Sequence, residues 1–454
     1  GRRHQHTHEI PLRLKGRDAM NKFHSVTLDV AKCVGCTACL KRCPTEAIRI
    51  RERRARIIDE RCIDCGECIR ICEHHAKVAT TNPLSAINRY PYKIALPAPA
   101  LYGQFKDLRA AAAIPTALKM MGFDYVCEVA HGADIVSRAI MEKMKEPDVP
   151  RPLISSSCPA VVRLIQTRFP ELIDNIVDVK SPMEVAAIEA RRRFCAERGV
   201  ADKDVGCFFI TPCAAKMTAI RKPLGHEKSA VDGAISFLEV YGLLSGQIKK
   251  AVKPEDAPSP RATSFGIGWA RTGGEAGAVQ QEESLAVDGI DNVIRVLEEI
   301  EDNRLPGLRF FEGMACFGGC IGGPLSFENP FIARNRIRKL VLSLPKVRPQ
   351  DVVSPEEISG MADEIFCDKP LEPVKVMQLG KDVREALHNM ERVEELSKKL
   401  PGLDCGSCGS PSCQALAEDI VLGYATEMDC LVLLKERLRQ MARQMVEMAE
   451  TTRK

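Results

Sequence analysis

The chain has 454 residues, enough for about three domains with large hydrophobic cores, and a formal net charge of only +4. No basic stripe is interleaved with aromatic residues, which argues against nucleic acid as a partner. The apolar runs are broken by proline and fall well short of the roughly 18 residues that a membrane-spanning helix needs, and no secretory leader stands at the start. We therefore expect a cytoplasmic protein that does not enter a membrane.

The chain contains 20 cysteines, which is the most unusual feature of its composition. Secreted disulfide scaffolds are short chains that lack a core, whereas most cysteines here stand in tight clusters of a long chain. In intracellular proteins, cysteines two residues apart are more often metal ligands than disulfide partners. The sequence thus predicts a reduced, iron-binding protein of an anaerobic environment. Four cysteines fall outside the clusters: Cys127, Cys195, Cys207 and Cys367.

Residues 1–19 carry histidines and arginines but show no periodic pattern. A metal-binding histidine tract is one interpretation of this segment. The lack of periodicity favours a cloning remnant or a disordered tail instead. We divide the rest of the chain into three predicted domains, at residues 20–82, 83–354 and 355–454.

The domain at 20–82 holds two cysteine runs of identical spacing, Cys-x2-Cys-x2-Cys-x3-Cys. This spacing is typical of bacterial two-cluster ferredoxins, in which the fourth cysteine of a run binds the other cluster. Zinc is the alternative metal, but it prefers two separated pairs of ligands. The alternating segments 47–50 and 55–59 are predicted strands between the runs. The predicted ligands are Cys33, Cys36, Cys39 and Cys72 for one 4Fe–4S cluster, and Cys62, Cys65, Cys68 and Cys43 for the other.

After residue 82 the sequence alternates between helix and strand patterns. The apolar segments at 153–154 and 207–210 have the character of buried strands, and each ends just before a cysteine, Cys158 or Cys213. In open α/β sheets, ligands bind outside the carboxyl ends of the strands. We therefore predict a two-lobed α/β domain with its site in the cleft between the lobes.

Three short loops of this domain carry four cysteines: SSSCP at 155–159, PCAAK at 212–216 and MACFGGCIGG at 314–323. The glycines of the third loop let the backbone approach a bulky inorganic cofactor, and soft thiolates suit iron–sulfur ligation. Lys216, three residues after Cys213, is placed to donate a charge-assisted hydrogen bond to an anionic iron ligand. A surface position is the alternative for this lysine.

These loops resemble the signature loops of the iron–iron hydrogenases, TSCCP, PCxxKxxE and MACxxGCxxG, over about residues 85–350. The resemblance implies an H-cluster, in which a 4Fe–4S cluster is joined to a two-iron subcluster that bears CO, cyanide and an azadithiolate. It further implies that Cys320 bridges the two parts and that Lys216 and Met314 contact the subcluster, although core packing is the commoner role of a methionine. The implied ligands of the 4Fe–4S part are Cys158, Cys213, Cys316 and Cys320.

The chain departs from the family at two proton-relay positions. Ser157 stands where the family has a cysteine, and Ala219 stands where it has a glutamate. A thiol has a reference pKa of about 8.5, whereas a serine hydroxyl does not ionise near neutral pH, so Ser157 is the poorer relay. Glu275, Glu239 and Cys127 are candidates for a substitute route. Their alternatives are exposed carboxylates and a core cysteine.

The domain at 355–454 is predicted to be mainly helical and to carry a third accessory 4Fe–4S cluster. Its cysteine spacing resembles a small module attached to anaerobic redox proteins, and we expect the fourth ligand at the far end of a helix that starts near Gln414. A heptad stripe from Leu431 to Met448 predicts a terminal helix. This helix either docks on its own domain or pairs with a signalling partner or a second copy. The predicted ligands are Cys405, Cys408, Cys413 and Cys430.

These features resemble the hydrogen-sensing groups of the family, and among them the group without a PAS domain, because the chain has no room for one. The implied function is a slow, reversible oxidation of H2 to protons and electrons. Three accessory clusters would relay the electrons to a ferredoxin-like or other redox partner. Two alternatives stay open: a hydrogenase-like iron–sulfur protein without the two-iron unit, as in cluster-assembly relatives, and an electron-transfer subunit.

Overall fold

The structure is a computed structural model that describes residues 23–106, 108–251, 262–376 and 379–451. The predicted tail at 1–19 lies outside these residues. The predicted fold class is confirmed: a ferredoxin-like α+β part precedes a two-lobed α/β domain, and helices follow.

The ferredoxin-like part consists of β1 (Val26–Leu28), α1 (Ala38–Lys41), β2 (Ile48–Arg51), β3 (Arg54–Ile57), α2 (Glu67–Arg70) and β4 (Lys77–Ala79). Strand β1 pairs with β4, and β2 pairs with β3, both antiparallel. The two predicted strands of this part are therefore present as the hairpin β2–β3. Helices α1 and α2 each begin inside a cysteine run, after a left-handed residue, Thr37 or Gly66.

The central domain alternates strands and helices in chain order. Its first half contains β5 (Tyr92–Pro97), α3 (Leu108–Met120), β6 (Tyr125–Val126), α4 (Val129–Lys143), β7 (Leu153–Ile154), α5 (Pro159–Arg168), α6 (Pro182–Arg198), β8 (Val205–Thr211) and α7 (Ala214–Arg221). Its second half contains β9 (Gly233–Ser236), α8 (Phe237–Ala251), α9 (Ser264–Gly268), α10 (Gly274–Val279), β10 (Ser284–Asp288), α11 (Ile290–Glu301), β11 (Phe310–Met314) and α12 (Pro330–Ser343).

Two parallel sheets form the two lobes of this domain. The first sheet has the strand order β6-β5-β8-β9 and the second has the order β10-β11-β7. Every residue of β8 and of β11 is buried, as expected for strands covered on both faces. Helix α11 covers the second sheet with the apolar face formed by Ile290, Val293 and Leu297, which recur at helical spacing.

The carboxyl-terminal part is helical, with α13 (Pro349–Val352), α14 (Pro355–Gly360), α15 (Ala362–Ile365), α16 (Val383–Lys399), α17 (Cys413–Val421) and α18 (Leu431–Thr451). Helices beyond the predicted domain boundary at residue 354 still pack on the second lobe. Ile358, Met361 and Ile365 are buried in the core of the second lobe, and Phe366 forms a β-bridge with Val179. The separate helical module begins after these residues, with α16 and α17 around a small core of its own.

The position of Cys430 differs from the prediction. Helix α17 ends at Val421, so this cysteine does not lie at its far end. Cys430 instead directly precedes α18, and its carbonyl accepts a hydrogen bond from the Leu434 amide at 2.9 Å. The fourth cysteine of the set is therefore the residue from which the terminal helix starts.

Helix α18 keeps its heptad stripe uncovered along most of its length. Leu433, near its start, packs against the core of the helical module. Further along, Leu438, Met445 and Met448 are 56%, 65% and 61% exposed. None of the helices within the described ranges has the length and apolar character to cross a membrane.

Candidate metal centre

The four cysteines of the three central loops line one cavity between the two sheets. This cavity contains about 860 Å³ of empty space, part of it open to solvent. Its walls come from the carboxyl ends of β7, β8 and β11, where ligands are expected in parallel sheets. The cysteines that it brings together are Cys158, Cys213, Cys316 and Cys320.

Two of these cysteines stand at the beginnings of helices. Cys158 is the N-terminal capping residue of α5, and Cys213 is that of α7. Pro159 follows Cys158 at the first helical position, where its fixed φ and missing amide are tolerated. The positive end of the helix dipole stabilises a negative charge at such a position. Both strand-to-helix turns therefore favour a thiolate facing the cavity.

The glycine-rich loop brings the other two cysteines to the same space. Gly319 has a φ of +91°, and a Cβ at this position would lie 2.7 Å from the Thr272 amide nitrogen. At Gly323 a Cβ would lie 2.5 Å from the Pro212 carbonyl oxygen. No side chain fits at either glycine without movement of the neighbouring backbone. This close packing fixes the loop that carries Cys316 and Cys320 against the loop that carries Cys213.

Burial keeps the Cys213, Cys316 and Cys320 thiols protonated unless a cation is bound between them. Burial raises the pKa of Cys213 to about 12, and the neighbouring Cys316 and Cys158 contribute to the rise. Burial also raises the pKa of Cys320, which is exposed to the cavity although it lies deep in the protein, and the other three thiols act in the same direction. All 20 cysteines are free of disulfides. Thiolates gathered in this way need a cationic partner, and the donor set fits iron.

Lys216 and Met314 both line the same cavity. Lys216 lies in the first turn of α7, and its ammonium group acts electrostatically on Cys213, Cys320 and Glu275. Met314 is the last residue of β11 and is 6% exposed. The surface alternative for Lys216 is therefore excluded. Met314 is buried in the core and also lines the cavity.

A buried carboxylate also lines the cavity, as the sequence suggested for Glu275. The Ser155 hydroxyl donates to Glu275 Oε2 at 2.6 Å, and the Ser157 hydroxyl donates to Oε1 at 3.4 Å. Burial raises the pKa of Glu275, and the charge of Glu312 raises it further. This carboxyl group is therefore able to hold a proton near neutral pH, beside a serine that faces the thiols.

Glu312 is a functional candidate that the sequence reasoning missed. It is fully buried in β11, and its carboxylate accepts from the amides of Gly273 and Ala276 at 2.9 and 2.8 Å. Burial raises its pKa as well, while these hydrogen bonds and the charge of Arg271 act in the opposite direction. A charged residue inside the apolar strand Phe310–Met314 was the sequence signal that could have identified it.

Two of the predicted proton-relay residues do not reach the cavity. Glu239 is exposed on α8, where its carboxylate caps the Leu84 amide at 3.1 Å. Cys127 is buried in the core of the first lobe, and its thiol donates to Glu189 Oε2 at 3.8 Å. Neither residue is among those that line the cavity, so the structure does not bring either of them to the four thiols. Sequence position alone gave no information about which side of the lobe these residues face.

The ferredoxin-like part holds its eight cysteines in two small cavities of about 330 and 350 Å³. The fourth cysteine of each run lies in the cavity of the other run, as the crossed spacing predicts. Cys72 acts electrostatically on Cys39, and Cys43 acts on Cys65. The first cavity is lined by Cys33, Cys36, Cys39 and Cys72, and the second by Cys62, Cys65, Cys68 and Cys43.

A buried lysine supports anionic clusters at these positions. Lys77 is 2% exposed, lines the first cavity, and acts on both Cys39 and Cys68. Its ammonium nitrogen has no hydrogen-bond partner among the described residues. An unpaired buried cation is costly, and thiolate-bound iron–sulfur clusters carry net negative charge. The residues therefore fit a cluster on each side of this lysine.

The third cysteine set lies in the helical module. Cys405 and Cys430 both act electrostatically on Cys408, and Cys413 packs in the same small core as Cys408 and Cys430. Cys405 is exposed and Cys430 is buried. The structure thus brings all four residues of the predicted set to one side of the module.

Family models match three parts of the chain. The model described as "Iron only hydrogenase large subunit, C-terminal domain" matches residues 92–324, more than half of the chain. A "4Fe-4S dicluster domain" matches residues 25–73. An Fe-S cluster model matches residues 400–432.

Similar proteins are of two kinds. The chain is 24% identical to "Iron hydrogenase 1" of Clostridium pasteurianum over 371 residues, which cover 66% of this chain and 64% of that protein. It is 20% identical to the "Probable cytosolic Fe-S cluster assembly factor GI11683" of Drosophila mojavensis over 412 residues, which cover 77% of this chain and 83% of that protein. The first relative is named as a hydrogenase, and the second is named as a factor for iron–sulfur cluster assembly.

Among solved structures, the chain is similar to a variant of the [FeFe]-hydrogenase HydA1 from Chlamydomonas reinhardtii. The TM-score is 0.48 and the sequence identity is 15%, with 64% of this chain and 98% of that chain covered. By the family model that spans residues 92–324, the chain belongs to the iron-only hydrogenase large-subunit family and is a hydrogenase-like iron–sulfur protein.

Proposed function

We propose that the protein oxidises H2 reversibly to two protons and two electrons at an H-cluster held between the two sheets, and that it does so slowly, as a sensor of hydrogen. The observation that carries the proposal is the meeting of four thiols from three distant loops with Lys216 and Met314 in one cavity. A cavity that bound only a structural cluster would not need a lysine and a thioether beside the fourth thiol.

The four thiols are the proposed ligands of the 4Fe–4S part, with Cys320 bridging to the two-iron part. When bound, the H-cluster supplies a Lewis-acid metal that polarises H2 and a store for its electrons. The ammonium group of Lys216 holds negatively charged iron ligands through a charge-assisted hydrogen bond. Met314 closes the cavity with an apolar, polarisable side chain that excludes water.

Proton movement depends on residues that differ from the family pattern. We assign the first step of the route to Ser157, whose hydroxyl donates toward Glu275 and lines the cavity. Glu275 then holds the proton at a carboxyl oxygen, and the nearby Glu312 is the second buried carboxyl group of the proposed route. A serine hydroxyl transfers a proton less readily than a thiol, which supports a low turnover.

The electrons are proposed to leave through three accessory 4Fe–4S clusters to a ferredoxin-like or other redox partner. For a two-electron couple, about 30 mV changes the equilibrium tenfold. Small differences between the reduction potentials of the clusters therefore decide whether H2 is oxidised or produced in the cell. A cytoplasmic location in an anaerobic cell accords with reduced, metal-binding cysteines.

Signalling is proposed to run through α18. Its exposed stripe of leucine and methionine side chains is suited to pair with a partner helix or with a second copy. Removal of residues 431–454 should shift the elution of the protein in size-exclusion chromatography from dimer to monomer. Equal elution of both forms as monomers would exclude self-association and leave pairing with another protein.

A second candidate function is a hydrogenase-like protein that never receives the two-iron unit. The likeness to a protein named as a cluster-assembly factor over 77% of the chain favours this candidate, as do Ser157 and Ala219. An electron-transfer subunit is a third possibility. Lys216 and Met314 on the cavity wall favour the hydrogenase, because neither alternative has a use for them.

H2 uptake with a viologen dye separates these functions. Protein matured with hydrogenase assembly proteins should reduce the dye under H2, and Cys320→Ala should abolish this reduction while the accessory clusters remain. Wild-type protein with full iron content but without H2-dependent dye reduction would overturn the catalytic proposal.

A further inference from the structure

The second cysteine set lies directly against the central cavity. Gly66, next to Cys65, is so close to Pro324 that a Cβ at Gly66 would lie 2.5 Å from the proline ring. Arg70 donates from Nε and from a terminal nitrogen to the Gly322 carbonyl at 3.1 and 2.8 Å, and its guanidinium also hydrogen-bonds Cys316. This set is therefore the one that adjoins the catalytic site.

Arg163 marks the same junction from the other side. Its guanidinium lies 3.9 Å from the Asp64 carboxylate and acts electrostatically with both Cys62 and Cys213. Burial lowers the pKa of Arg163, so its charge is held in a site with little water. One buried cation thus lies between a cysteine of the second set and a cysteine of the central cavity.

The third cysteine set packs on the ferredoxin-like part beside residues that adjoin the first set. The Ile50 amide donates to the Gly409 carbonyl at 2.8 Å, and Arg51 donates to the Cys408 carbonyl at 3.3 Å. A Cβ at Gly406 would lie 3.2 Å from the side chain of Leu40, which adjoins Cys39. The backbone next to Cys405 therefore lies close to Leu40, the residue that follows Cys39 of the first set.

A buried ion pair holds the helical module in this position. The Asp419 carboxylate is 3% exposed and accepts from Arg49 at 2.6 Å, from Arg51 at 2.8 Å and from the Ser410 hydroxyl at 2.7 Å. Arg49 is itself 5% exposed. Removal of one partner of a buried, hydrogen-bonded ion pair leaves an uncompensated charge. The module is thus docked by a specific contact and is not tethered loosely.

The docking is confined to one face. Apart from bonds within the helical module itself, the hydrogen bonds and ion pairs that join residues 404–419 to the rest of the described chain end on residues 41–61. Arg61, for example, pairs with Glu418 at 2.9 Å. Among the described residues, none of the third set lines the central cavity, and the ferredoxin-like part lies between the two.

We infer that the four iron–sulfur groups form a single-file relay, in which the third cluster is the outermost and exchanges electrons with the catalytic site only through the first cluster and then the second. This inference rests on the proposed function. One H2 yields two protons and two electrons, and each 4Fe–4S cluster accepts one electron, so one H2 reduces two clusters. Asp419 is a positioning residue that holds the outermost cluster against the first.

The test removes the middle of the relay. Cys36→Ala removes the first cluster. The matched control is Cys405→Ala, which removes the third cluster. Electron paramagnetic resonance of samples frozen after exposure to H2 should show a reduced third cluster in the wild type. In Cys36→Ala the third cluster should stay oxidised under H2, while a europium(II) chelate still reduces it. Reduction of the third cluster by H2 at the wild-type rate in Cys36→Ala would overturn the relay order.

A second measurement does not depend on H2 chemistry. With all clusters reduced by the europium(II) chelate, the signal of the third cluster should be broadened by the spin of the first. Cys36→Ala and Asp419→Asn should both remove this broadening, whereas Cys65→Ala, which removes the second cluster, should leave it. Broadening that is lost in Cys65→Ala but kept in Cys36→Ala would overturn the order. A wild type in which H2 reduces no cluster, but in which this broadening is present, would contradict the proposed function and support the relay.

Discussion

The two sides of the central cavity differ in how closely they follow the hydrogenase family. On the thiol side, four cysteines, Lys216 and Met314 stand where the family motifs have them, and glycine contacts fix their loops. On the proton side, a serine replaces the relay cysteine, and buried carboxylates of α10 and β11 lie behind it. On the proposed function, the metal site keeps the family pattern while the proton route does not, so we expect proton transfer to limit turnover.

Loss of the carboxylate nearest the cavity tests the rebuilt route most strongly. Glu275→Gln should lower H2 turnover by about 10²-fold, the lower end of what a positioned acid–base group contributes. The accessory clusters and the infrared spectrum of the resting state should not change. Turnover measured with a viologen dye checks this, with Glu239→Gln as the matched control because Glu239 is exposed on α8. Equal rates for Glu275→Gln and the wild type would place the proton route elsewhere.

Restoring the family residue should have the opposite effect. Ser157→Cys should raise turnover on the order of tenfold, because a thiol is a better proton relay than a hydroxyl. Ser156→Cys is the matched control, since the Ser156 hydroxyl donates to the Val179 carbonyl and not to the carboxylate of Glu275. An increase in both variants, or in neither, would show that the relay at residue 157 does not limit the rate.

On the thiol side, we expect the stability of the protein to depend on the glycines that let the cysteine loop pack closely. Gly319→Ala should destabilise the protein by about 1–3 kcal/mol, because a left-handed residue acquires a Cβ that meets the Thr272 amide. Gly307→Ala, at a glycine with open space around it, should change stability by no more than about 0.5 kcal/mol. Thermal unfolding and iron content check both variants. Similar melting temperatures for the two would contradict the tight packing of this loop.

The buried carboxyl pair should also appear in the pH dependence of stability. Burial raises the pKa values of Glu275 and Glu312 above the ordinary value of 4.5, so the folded state binds protons that the unfolded state has released. The unfolding free energy should therefore fall as the pH rises from about 4.5 toward and past neutrality. Glu275→Gln should flatten this decline. Melting curves at several pH values check the slope, and an unchanged slope would mean that the pair is ionised in the folded protein.

Much of the fold and of the cysteine chemistry could be predicted from local patterns. The ferredoxin-like runs are short, so their spacing predicts which cysteines share a cavity, including the exchange of Cys43 and Cys72. The strands before Cys158 and Cys213 were predicted because a buried parallel strand is a continuous apolar run. These are cases in which neighbouring residues carry the information.

Features that depend on distant contacts could not be predicted in this way. Glu239 and Cys127 were predicted as relay residues, but the packing of the first lobe leaves both outside the lining of the cavity. Glu312 of β11 lies near Glu275 because its carboxylate accepts from the Gly273 and Ala276 amides of the α10 turn, a contact that no local pattern encodes. The ion pair between Arg49 and Asp419 joins residues 370 positions apart. Tertiary packing decides each of these contacts.

Infrared spectroscopy of the matured protein tests most directly whether the four central thiols hold an H-cluster. The proposal predicts absorption bands of iron-bound CO and cyanide in the wild type, and their absence in Cys320→Ala with the accessory clusters still present. Wild-type protein that contains all its iron–sulfur clusters, was exposed to the maturation proteins and shows no such bands would contradict it.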